Sequence, residues 1–133
     1  TKLIDESQAL DMARAFTDAG VDVNELYSKS GDSYLITAAS LGAEQVGLHL
    51  VELGANVQTL GLFRATALHW SAMMGLPKLA SALLKAGART YLADVTHKAT
   101  PLEWALHSWK EGTNGRRDGI PEVARLLGGS IPT

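Results

Sequence analysis

Shifted against itself by 33 or 34 residues, the chain falls into register. SYLITAASLG (33–42), TALHWSAMMG (66–75) and TPLEWALHSW (100–109) align, and their starts, Ser33, Thr66 and Thr100, lie 33 and 34 residues apart. A second series, DAGVDVN (18–24), ELGANVQ (52–58) and KAGARTY (85–91), places Gly20, Gly54 and Gly87 at spacings of 34 and 33. Two independent series with one period define a repeat. Units of this size bury their apolar faces against one another and stack.

Within each unit the residues predict two helices. Ser or Thr at the start is an N-cap, and Pro101 falls where a missing N–H costs nothing. Gly42 and Gly75 suit a left-handed end to the first helix. Trp109 stands at the equivalent place in the last unit, so that turn must be built differently. The second helix carries Val46, Leu50, Val51 and Leu53, then Leu79, Leu83 and Leu84, at the spacing of a helix buried on one side. It ends at Gly54 or Gly87, and an extended loop of about a dozen residues leads on. At the N-terminus, Leu10, Ala13 and Phe16 share a face of one further helix, read as the second helix of a partial unit. KEGTNGRRDG (110–119) reads as an exposed loop inserted before PEVARLL.

These segments resemble the ankyrin repeat, whose units of about 33 residues open on T-P-L-H-x-A. The unit starting at Thr66 has Ala67 in place of Pro and keeps His69; that starting at Thr100 keeps Pro101 and has Glu103 in place of His. The unit starting at Ser33 is the most degenerate, with Tyr34 and Ile36 at those positions. The resemblance, to a bacterial-type ankyrin domain of about four repeats, runs from about residue 9 to 127. It implies an all-α solenoid of helix–turn–helix units joined by hairpin-like loops. The chain is then a single domain over 1–133, with a partial capping repeat at 5–30 and repeats at about 31–63, 64–97 and 98–130. The absence of an initiator Met and the stop at GGSIPT point to a trimmed chain or a fragment of a longer protein.

Several function classes find no support. A net charge of −2 and a pI near 6.0 carry no basic footprint for nucleic acid; Arg116-Arg117, beside Asp118, make no phosphate track. There is no cysteine, which excludes disulfides, thiolate catalysis and cysteine-based metal sites and sits easily with a reducing cytoplasm. No apolar run approaches the roughly 20 residues of a membrane helix. His49, His69, His97 and His107 include no pair with metal-ligand spacing on one helix, and no nucleophile elbow or P-loop appears. The chain reads as a non-enzyme without cofactor or metal, a monomer acting on another protein.

The resemblance also implies where such a partner binds, since the family uses its loop tips and the outward positions of its first helices as a concave face. His69 stands at the family's structural histidine, which ties its helix to the neighbouring loop; His49 is read as a surface residue. By position the face takes Lys29, Ser30, Asp32, Thr37, Ser40 and Leu41 from one unit. The next gives Leu62, Phe63, Ala65, Trp70, Met73 and Met74, and the last gives Thr96, His97, Ala99, Trp104, His107 and Ser108. The binding centre is expected at Leu62, Phe63, Trp70, Met73, Met74, His97, Trp104 and His107. Trp70 and Trp104 hold equivalent positions and should be neighbours. They either fill space between adjacent first helices or floor a groove, with Met73, Met74 and Phe63 exposed. A small hydrophobic ligand between the indoles is the alternative occupant, and a regulatory or targeting role within a larger protein the alternative context.

Overall fold

A computed structural model describes residues 32–112 and 117–130, together with residues 11, 14, 15, 18–20 and 24. Among the described residues there are three helix pairs: α1 (Tyr34–Ser40) with α2 (Glu44–Glu52), α3 (Ala67–Met74) with α4 (Pro77–Lys85), and α5 (Pro101–Glu111) with α6 (Ile120–Leu126). Short 3-10 turns occupy Leu62–Arg64 and Arg117–Gly119, and no extended strand occurs among these residues. The fold is all-α. The expected N-terminal helix face at Leu10, Ala13 and Phe16 lies outside the described residues, as do Lys29 and Ser30.

The helix starts form as the capping residues dictate. Ser33, Thr66 and Thr100 accept hydrogen bonds through their side-chain oxygens from the N–H groups of Ile36, His69 and Glu103. In α3 and α5 the bond is reciprocated, since His69 and Glu103 reach back to the backbone of the capping threonine. The last unit does turn differently. Its first helix runs three residues past the expected end, so Trp109, Lys110 and Glu111 are helical, and Gly112 at φ 67° makes the left-handed stop. The inserted segment is thus partly helix at its start and partly a 3-10 turn at its end.

The first helices pack in the order α1, α3, α5 and the second helices in the order α2, α4, α6. Between the rows lie Leu35, Ile36, Leu50, Leu68, Leu76, Leu79, Leu83, Ile120 and Val123, all buried. Burial of aliphatic side chains such as these is the main source of cohesion, at about 1.5–3 kcal/mol each. Gly119 permits a close junction between the last two units, for a Cβ there would lie 2.1 Å from the Gly75 carbonyl oxygen.

Polar ties reach across one repeat length. The buried Glu44 carboxylate in α2 accepts from the N–H groups of Lys78 (3.0 Å) and Leu79 (3.2 Å), capping α4, which has no cap of its own. The Asn24 side chain accepts from Asn56 N–H and donates to Gly54 C=O; Gln58 does the same for Arg89 N–H and Gly87 C=O. Ser108, expected on the open face, is buried because its hydroxyl donates to the Met73 carbonyl at 2.8 Å. His49 is half-buried rather than on the surface. It shares a helix face with buried Val46, and its Nδ1 lies 3.8 Å from the Glu52 carboxylate.

Candidate functional site

The site begins at His69. Its ring is fully buried (0% exposed), with Nδ1 3.1 Å from Thr66 N and Nε2 3.0 Å from the Ala99 carbonyl. A carbonyl only accepts, so Nε2 carries the proton and Nδ1 receives the Thr66 N–H. The ring joins α3 to the loop of the next unit. Burial lowers its pKa below 6.5, against the opposing pull of the Ala99 carbonyl and the Asp94 charge, which favours the neutral ring this network needs.

The loop that His69 holds is organised by Asp94, which is 2% exposed. Its Oδ2 accepts from the N–H groups of Thr96 (3.0 Å) and His97 (2.8 Å). Its Oδ1 accepts from Ala99 N–H (2.9 Å) and from the Trp104 indole N–H (3.1 Å). Burial alone would raise this carboxyl's pKa, but the four hydrogen bonds outweigh it and hold the group down to about 2. Asp94 is therefore a charged knot tying loop 94–99 to α5.

The neighbouring loop tip is tied to the same knot, for Val95 N–H donates to the Phe63 carbonyl at 2.8 Å. Phe63 and Arg64 both take left-handed backbone conformations, with φ of 62° and 59°. For a bulky aromatic residue this is an uncommon and costly conformation, of order 1–3 kcal/mol. Phe63 is nevertheless 55% exposed, so its ring recovers little of that cost by burial.

The Trp70 and Trp104 rings meet edge to face, with centroids 5.1 Å apart and planes at 88°, and the His69 ring meets Trp104 with centroids 5.0 Å apart. Both indoles are half-buried, and Trp70 also packs against the apolar core. Beside them lies a groove of about 550 Å³. Of the eight residues expected at the binding centre, the structure brings six to this groove: Phe63, Trp70, Met73, His97, Trp104 and His107. His97, His107 and Phe63 are exposed, whereas Met73 is half-buried. Two do not line it. Leu62 is exposed on the tip beside Phe63, and Met74 is half-buried against the core, its direction set by a turn of about 100° per residue along the helix. Asp94 and Glu103 line the groove without having been expected there. A signal for Asp94 was present in D-V-T-H, an acidic residue placed to accept from the backbone two and three positions on.

The ankyrin repeat family model matches residues 64–96, the span from the Arg64 tip through α3 and α4 into the Asp94 loop. That span is an ankyrin repeat. It is also 35% identical over 122 residues, 92% of its length, to the E3 ubiquitin-protein ligase Ufd4 of Drosophila melanogaster. It spans 4% of that ligase. No described helix is long and apolar enough to cross a membrane.

Proposed function

We propose that this ankyrin-repeat chain is a non-catalytic recognition module that holds another protein in the groove of Phe63, Trp70, Met73, His97, Trp104 and His107. The carrying observation is Phe63, an aromatic ring kept largely in solvent on a strained backbone where the fold gains little from it. Half-buried indoles beside it supply the anchors typical of binding hot spots. Leu62 extends the apolar rim, and Met74 packs against the core. The units at about 31–63, 64–97 and 98–130 are read as one continuous solenoid over 1–133, a monomer acting in the cytoplasm without cofactor and without nucleic acid. The similarity to a small part of a ubiquitin ligase supports placing this module within a larger protein, as the part that recruits rather than the part that reacts.

The test is capture from an extract of the source organism by the wild-type chain and by Phe63→Asp, with retained proteins identified by mass spectrometry. At least one protein should be held by the wild type and depleted about tenfold or more by the variant. Identical retained sets from two folded proteins would refute the reading. A small apolar ligand is the second reading, favoured by the size of the groove, but it makes no use of the carboxylates in its walls.

A further inference from the structure

We propose that Arg64 and Lys98 form a basic rim along the groove, which takes two acidic side chains of the partner protein set one polyproline II turn apart. The inference rests on the recognition reading above and names the chemistry that flanks the apolar anchor.

The first observation is where the backbone turns left-handed. Arg64 and Lys98 have φ of 59° and 53°. Apart from these two and Phe63, every described residue with positive φ is a glycine. Glycine takes that conformation without strain, whereas a residue with a Cβ takes it at a cost. The two cations stand 34 residues apart, each two residues before a capping threonine, so they hold one position in successive units. The unit starting at Ser33 has Gly31 at that position. Two consecutive units thus carry a long cation where a glycine would be unstrained.

The second is that the fold makes no use of either side chain. Both are exposed, and among the described residues neither pairs with a carboxylate. Arg64 follows Phe63, and Lys98 lies between His97 and Ala99; those three neighbours line the groove. The cations therefore stand along its loop-tip edge.

The third is the change of charge across that edge. Asp94 and Glu103 line the groove and no Lys or Arg does, so an acidic group inside would meet like charge at close range. At the rim the same group would meet Arg64 or Lys98. The segment that fits places apolar residues against Trp70 and Trp104 and its acids outside. Neighbouring helices pack about 8–10 Å apart, which sets the interval between equivalent positions in adjacent units. A polyproline II segment rises about 3.1 Å per residue with three residues per turn, so it returns a side chain to one side every 9 Å or so. Two acids with two residues between them match the two cations.

The experiment is a nuclear magnetic resonance titration of the whole chain with blocked tetrapeptides, a readout that serves even for dissociation constants near about 1 mM. The probe is Glu-Pro-Phe-Glu, set against neutral Gln-Pro-Phe-Gln, basic Lys-Pro-Phe-Lys, and Pro-Glu-Glu-Phe with the same acids side by side. The probe should bind about three- to tenfold tighter than each of the others and shift the amides of Arg64 and Lys98. That preference should shrink in 1 M salt, where the Debye length is about 3 Å. Arg64→Gly combined with Lys98→Gly removes both cations and the strain, and should abolish the preference in a chain that stays folded. Equal or tighter binding of the neutral, basic or side-by-side peptide would overturn the proposal, as would a titration in which no resonance moves. A preference that survives in the double variant would overturn it too, and loss of the fold there would assign the cations to the scaffold with the same result. The comparison among peptides uses the unaltered chain, so no variant has to fold for it. If the acids confer no preference while Phe63→Asp still depletes a captured protein, the basic rim fails and the recognition reading survives. If capture is also insensitive to Phe63, both fail.

Discussion

The helix starts at Thr66 and Thr100 are built on one plan and differ in what their third helical residue does. In both, the threonine oxygen accepts from the third N–H and the third side chain reaches back to the threonine. In the first, that side chain is His69, buried, with its other nitrogen bonded to the next unit's loop at Ala99. In the second it is Glu103, exposed and lining the groove, with the same oxygen serving Thr100 N–H and its hydroxyl. The cap is satisfied either way. The remaining atoms of the residue serve whatever lies opposite, a neighbour's backbone in one unit and an open groove in the other.

The comparison breaks most sharply at His69. His69→Ala removes a buried ring, the cap and the bond to Ala99, and should lower unfolding free energy by about 2–4 kcal/mol in urea titration. A loss under about 1 kcal/mol would mean that the histidine does not tie the units together. Asp94→Asn comes next. An amide offers one oxygen where four donors converged on two, so the loop and the Trp104 indole lose partners at a cost of about 1–3 kcal/mol, read the same way.

Acid sharpens the distinction in graded fashion. The pKa of His69 is lowered in the fold, so below pH 6.5 the unfolded chain takes up a proton that the folded chain resists. Its contribution to stability is complete above 6.5 and is lost as pH falls through the folded value. Asp94, held at about 2 against an ordinary 3.8, adds about 2 kcal/mol that persists above 3.8 and is lost between there and 2. Urea midpoints measured from pH 8 to 3 should therefore begin to fall near 6.5, with a shallower slope in His69→Gln. The smallest effect belongs to Glu103→Gln, which keeps the cap and should change stability by under about 0.5 kcal/mol.

Much of this division was legible in the residues. Thr66, His69 and the 33- to 34-residue spacing announce the caps and the stacking, and Trp70 and Trp104 are neighbours because they hold one position in successive units. What escaped was direction and long-range partnership. Met73 and Met74 looked alike, yet adjacent helical residues diverge, so one lines the groove and the other meets the core. Ser108 looked outward until its hydroxyl found the Met73 carbonyl. Asp94 was not among the expected residues because its role needs four donors that only the folded loop and α5 bring together. Glu103 read as a departure from the histidine pattern, and the structure gives that departure a place in the groove wall.

A groove that serves as a binding surface has an aromatic rim at the loop tips that the fold does not need. Equilibrium urea unfolding of Phe63→Asp tests this most directly, since Asp tolerates the left-handed backbone that strains Phe. The predicted unfolding free energy equals the wild-type value within about 0.5 kcal/mol or exceeds it. A loss of about 2 kcal/mol or more would place Phe63 in the core and contradict the reading of the groove as a binding surface.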